Sequence, residues 1–211
     1  MTDINLADEL TEGKLQQKEY INRVFERFEF YGNGTTTMED VVFERCKLPG
    51  GTLMLLGTAV LRNVEFRKLR GGGKMAIGTG VLLDRVRFSG RFPSTLQGYV
   101  PSGLGLRANY SDVDWALDIT DYLGEVSIYG PPLERIRCNP DRHVKVSAAK
   151  TKGVDWAALG VRSLSYWTIA AKRASVVGCE GTVEMIPSSN DAEDVEARAQ
   201  LEKLRSEGIL E

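Results

Sequence analysis

The sequence predicts an all-β protein: a right-handed parallel β-solenoid of roughly seven to eight coils with a C-terminal α-helix. Three observations predict it. One string recurs three times, as GTTTMEDVVF from Gly34 to Phe43, GTAVLRNVEF from Gly57 to Phe66 and GTGVLLDRVRF from Gly78 to Phe88. Its Gly-Thr starts lie 23 and 21 residues apart, a period of stacked-repeat architectures. Each copy closes on Val-x-Phe, a period-two pair that points both side chains to one face of a strand.

The remaining parts of each period agree with a coil of short strands and turns. Pro49-Gly50-Gly51 and Gly71-Gly72-Gly73 punctuate the chain, and short apolar segments (Leu53 to Leu56, Met75 to Ile77) separate punctuation from the next Gly-Thr. No segment of the repeats has helical periodicity, which argues against leucine-rich or helical repeats. Coils stacked at about 4.8 Å would set Phe over Phe and Val over Val. Asp40, Asn63 and Asp84 would share one corner, where a short polar side chain tolerates a left-handed backbone. Thr35, Thr58 and Thr79 would form a hydroxyl ladder.

Residues 1–16 read as a polar lead-in in which Ile4, Leu6, Leu10 and Leu15 could form one face of a short helix, interrupted by Gly13. From Tyr20 the chain alternates around Val24, Phe28 and Phe30 and enters the first coil. Beyond Phe88 the repeat decays, but alternating pairs persist at Leu104 and Leu106, Val126 and Ile128, Val144 and Val146, Leu164 and Tyr166, and Val183 and Met185. These pairs extend the predicted solenoid domain over residues 17–187. Residues 188–211 read as a helix, with Asn190 at the N-cap, acids in the first turn, Lys203 and Arg205 near the end and Gly208 beyond it. Its apolar face would be Val195, the methylene stem of Arg198, Leu201 and Leu204, and its expected role is either to cover the last coil or to serve as a dimerisation helix or free tail.

The strings FERFEF (Phe25 to Phe30) and FERCKL (Phe43 to Leu48) resemble those of pentapeptide-repeat proteins. The resemblance covers about 25 residues and lapses at RKLRGG after Phe66. It implies a right-handed β-helix and no particular activity.

Composition narrows the function. The 211 residues carry a formal net charge of only −2, which argues against both an electrostatic grip on nucleic acid and a strongly acidic DNA mimic. Cys46, Cys138 and Cys179 are widely spaced, with no CxxC, so reduced thiols are expected rather than a zinc site or disulfides. The acidic start MTDINLADEL has no apolar run, and no stretch approaches the ~20 apolar residues of a membrane span. A cytoplasmic protein is expected, with no membrane association.

Four aspartates, Asp112, Asp114, Asp118 and Asp121, surround Trp115. Carboxylates beside an aromatic can act as glycosidase acid and base or bind a hard cation, and Asp112 and Asp114 would share a strand face. Solvated aspartates are nonetheless common, and no second signature supports catalysis. His143, the one histidine, follows Asn139-Pro140-Asp141 and reads as a surface turn residue. Gly71 to Gly73 beside Lys68, Arg70 and Lys74 lack the Walker spacing and read as a corner loop. Trp156, Tyr166 and Trp167, together with Arg162, Lys172 and Arg173, form an aromatic-basic neighbourhood of the kind found at protein-binding hot spots; with Trp115 they are the candidate binding residues. The favoured expectation is a non-enzymatic protein-binding solenoid without cofactor or metal. Its concrete form is a bacterial immunity-type inhibitor of a cognate toxin or enzyme. The alternative is a carbohydrate-active or glycan-binding β-helix using Asp112, Asp114 and Asp118.

Overall fold

The computed structural model of the protein describes residues 4–99 and 107–211. The chain winds into a β-solenoid of about five turns. The first four turns are β1 (Ile4–Asn5) with β2 (Lys14–Ile21), β3 (Phe25–Arg27) with β4 (Glu29–Glu44), β5 (Lys47–Leu48) with β6 (Thr52–Arg67), and β7 (Arg70–Gly71) with β8 (Lys74–Gly78) and β9 (Leu82–Ser89). β10 (Thr95–Tyr99), β11 (Leu117–Asp118), β12 (Glu125–Tyr129) and β13 (Ile136–Arg137) continue the stack. Ladders β2-β4-β6-β9-β11-β13 and β4-β6-β8-β10-β12 are parallel throughout and form two faces. The short pairs β1-β3 and β5-β7 lie on the third.

The Val-x-Phe pairs behave as their spacing predicts. Val41, Val64 and Val86 stand in register inside the coil, and so do Tyr20, Phe43, Phe66 and Phe88. The four rings stack with centroids 5.1, 5.2 and 4.4 Å apart, and Tyr122 closes the column edge-on to Phe88. Cys46 is buried in the same core, its thiol donating to the Tyr20 carbonyl.

Two of the three expected corner residues, Asp40 and Asn63, are left-handed, and the third corner lies one position on, at Arg85 rather than Asp84. Gln17, Asp40, Asn63 and Arg85 have φ of 50–57°, whereas Asp84 pairs with Arg62. One left-handed residue lets Met38 and Val41, three apart, both point inward. A second left-handed column, Asn22, Arg45, Lys68 and Gly90, turns the chain off this face, and the Asn22, Arg45 and Lys68 amides each donate to the next coil. The Gly-Thr dipeptides do not stack: Gly32-Asn33 pairs with Gly57-Thr58, and Leu55 faces Ile77, so the coil offset there is 22 and Gly78 sits one place before the site of Gly57. The expected threonine ladder is broken: Thr58 stands beside Asn33, and Thr79 lies outside the strands.

Parallel stacking stops at β12 and β13, fewer turns than the seven or eight expected. β14 (His143–Ser147) and β15 (Gly181–Met185) follow as an antiparallel pair, and β15 hydrogen-bonds antiparallel to β12. The edge of the stack is therefore closed by a strand, not by the C-terminal helix. Between β14 and β15 lie α1 (Ala148–Thr151) and α2 (Tyr166–Val177). The expected strand at Leu164 and Tyr166 is overturned: Ser165 caps α2 by accepting from the Thr168 amide, and left-handed Gly178 ends it. The pair Leu104 and Leu106 lies outside the described residues.

α3 (Ala192–Ser206) is the expected C-terminal helix, capped by Asp191 rather than Asn190. It packs on α2, not on the solenoid edge. Leu201 and Leu204 join Val144, Val146, Trp167 and Ala170 in a second small core, while Val195 is exposed. At the other end, a 3-10 turn over Leu6–Glu9 replaces the expected N-terminal helix, and Leu15 already belongs to β2.

Candidate functional site

The aspartates sit on the turn into β11 and beyond it. Residues 107–116 contain no strand, so Asp112 and Asp114 do not share a strand face; both are exposed. Asp118 and Asp121 converge instead on Arg87, Asp121 at 2.7 Å and Asp118 at 3.7 Å. Asp118 also accepts from the Thr120 amide. Trp115 is half-buried beneath the Arg137 guanidinium, 4.4 Å from the ring centroid. The Arg87 contacts are ion pairs between coils, as are those of Arg62 with Glu39 and Asp84 and of Arg67 with Glu44, while Arg67 also pairs with Glu65 on its own strand. Among the described residues no group of three or more His, Cys, Asp or Glu could hold a metal ion. Gly71 to Gly73 are occupied between coils: the Gly73 carbonyl accepts from the Ser94 amide, and a Cβ there would meet the Gly51 carbonyl.

The aromatic-basic residues separate by depth. Trp167 is 0% exposed, and its indole N–H donates to the Ala197 carbonyl at 2.7 Å, so it is a core residue and not a contact residue. Trp156 is half-buried beside the second core and lines a hollow of about 760 Å³ with Lys172 and Thr168. Tyr166 is 37% exposed and donates from its hydroxyl to the Met185 carbonyl. Arg162 is exposed in a bidentate pair with Glu196, while Lys172 and Arg173 are exposed on α2. Leu164 and Val176, at the two ends of α2, are 80% and 77% exposed. A second hollow of about 660 Å³ lies between α2 and α3, bounded by Arg162, Leu164, Tyr166 and Gln200.

Two buried ionisable side chains escaped the sequence reading. His143 is not a surface turn residue: it is 1% exposed at the start of β14, and neither ring nitrogen has a hydrogen-bond partner. Burial, reinforced by Arg142, lowers its pKa to about 4. Glu184 is 3% exposed in the middle of β15, on the strand face that it shares with Thr182. Its Oε1 accepts from the Ser127 and Thr182 hydroxyls at 3.0 and 2.9 Å. Burial nevertheless raises its pKa to about 7 against those hydrogen bonds and the charge of Arg173. The only signal in the sequence was a glutamate inside the alternating string GTVEM, where a solvent-facing residue would be assumed.

No helix among the described residues is long and apolar enough to cross a membrane. Comparison of the chain with protein-family models, with curated proteins and with solved structures finds no match.

Proposed function

We propose that this chain is a non-enzymatic protein-binding β-solenoid whose contact surface is the outer side of α2 and its flanks. One observation carries the reading: of the seven large apolar side chains exposed among the described residues, Leu164, Tyr166, Val176 and Val195 belong to the C-terminal module. They alternate with Arg162, Lys172 and Arg173, a mixture that suits an interface centre with a charged rim. The long solenoid face, by contrast, is laced by its own ion pairs. Its coil is taken as right-handed, the hand that parallel crossovers follow. The pentapeptide-like strings imply an architecture only and do not bear on this reading.

The specific form proposed is an inhibitor that blocks a cognate enzyme or toxin. The test uses the full chain as bait in lysate of its source organism, followed by binding measurements with the recovered partner. Leu164→Glu, Lys172→Glu and Val176→Glu should each weaken the complex at least about tenfold without lowering thermal stability. A partner enzyme whose activity falls on adding the chain supports inhibition. Equal binding by all three variants would show that the surface lies elsewhere.

A further inference from the structure

The outer surface of β12 meets α2 and the start of α3 around a cavity of about 320 Å³. Its floor is Ser127 and Glu184, its walls include Glu125 from β12, Tyr166 and Arg173 from α2, and Asp194 from α3. Glu184 is an unexpected residue for this position. The face of β15 that carries it packs toward the second core, where its partner across the strands is Val144. An apolar residue there would bury without penalty, whereas a carboxylate loses its hydration. Both hydroxyl donors go to Oε1, while Oε2 makes no hydrogen bond to a described residue and is not fully enclosed, so it is the oxygen open to the cavity.

The surroundings select the sign of a ligand. Glu184, Glu125 and Asp194 bring three carboxyl groups to the cavity, and among the described residues Arg173 is the one cation that lines it. Among the described residues no carboxylate oxygen lies within ion-pair distance of Arg173. Glu125 accepts from the Thr95 hydroxyl and Asp194 from the Ser189 amide, so both are fixed at the rim. We propose that this cavity is a binding site for an organic cation, an ammonium or guanidinium group, with Glu184 Oε2 as its principal acceptor. The cavity suits one alkylammonium or alkylguanidinium head, carried either by a free amine or by a lysine or arginine of a bound peptide.

A cation seated on Glu184 favours the ionised carboxylate, which burial otherwise opposes up to about pH 7. Binding should therefore release a proton near neutral pH and strengthen as the pH rises. The other groups facing Glu184 are Ser127, Thr182, Tyr166, Arg173, Glu125 and Asp194. Tyr166 remains protonated over this range, since burial raises its pKa.

The experiment is calorimetric titration of the full chain with n-butylammonium, n-butylguanidinium and a short neutral peptide bearing one arginine, at pH 5 and pH 8. Saturable binding is expected at pH 8, at least about tenfold weaker at pH 5. Glu184→Gln keeps the acceptor for Ser127 and Thr182, so it should fold normally and lose the binding. Arg173→Gln removes the competing cation and should tighten it. A peptide at least tenfold tighter than the alkyl cations assigns the site to a protein partner's basic side chain, and equal affinities assign it to a free amine. No saturable binding of any probe at pH 8, or unchanged affinity in folded Glu184→Gln, would overturn the proposal. Because the probes are small cations, this outcome is independent of whether the α2 surface binds a protein.

Discussion

Phe43 and Phe66 lie in register on successive coils with ring centroids 5.2 Å apart and planes within 5° of parallel. Phe66 also stacks on Phe88, so it is the centre of the column, and it is fully buried. Phe66→Ala should lower unfolding free energy by about 3–5 kcal/mol, the range for a truncated core aromatic. Urea titration measures it; a loss under about 1 kcal/mol would deny the column a role in stability.

Gly57 makes the corner between two faces. Its φ is +75°, and a Cβ would stand 2.1 Å from the Gly32 carbonyl oxygen of the preceding coil. Gly57→Ala should destabilise by more than the ~1–2 kcal/mol of a left-handed residue alone, because backbone must also shift. Gly50→Ala is the control: nothing lies within 4 Å of a Cβ there, so its melting point should barely change. Equal effects at the two positions would contradict the corner geometry.

Trp167 and Leu164 are three residues apart and opposite in role. Trp167→Ala should remove about 3–5 kcal/mol from the C-terminal module, leaving the Ala197 carbonyl without its indole donor. Leu164→Ala, at an 80% exposed site, should stay within about 0.5 kcal/mol. Thermal melts of both variants decide it, and a destabilised Leu164→Ala would mean that Leu164 is buried in solution.

Glu184 and His143 give stability opposite pH slopes. The Glu184 pKa is raised from 4.5 to about 7, so its contribution is complete below pH 4.5 and lost as the pH rises through 7. The His143 pKa is lowered from 6.5 to about 4, so its contribution is complete above pH 6.5 and lost as the pH falls through 4. Between pH 4.5 and 6.5 the two oppose each other, each amounting to about 3 kcal/mol over its whole window. Glu184→Gln leaves the histidine slope unopposed. The stability of this variant relative to the parent should rise by about 3 kcal/mol from pH 4.5 to 7, as read from urea midpoints. Parallel pH profiles would show that Glu184 is solvated.

The column of Val-x-Phe pairs was legible because period-two burial is local and repeats in register. The Gly-Thr alignment misled because a repeat in letters differs from a repeat in register: two extra residues between Asn33 and Thr37 reset the pairing. The third left-handed corner falls on Arg85 rather than on Asp84 for the same reason, and arginine is an unexpected left-handed residue. α2 had a readable bracket in Ser165 and Gly178, but Leu164 and Tyr166 alternate as a strand would. Around α2, the grouping of Tyr166, Lys172 and Arg173, which share that helix, with Arg162 on its N-terminal flank, was legible because they are near in sequence.

The sequence by itself determined a parallel β-solenoid with stacked Phe and Val columns, and a helix near residues 192–206, because these rest on short-range periodicity and capping. Only the tertiary structure decided where the solenoid stops, which aromatic of the Tyr166-Trp167 pair is buried, and that Glu184 and His143 are enclosed. Those outcomes depend on β15 returning antiparallel to β12 across more than fifty residues, a pairing set by the packing of two cores against each other rather than by any local pattern.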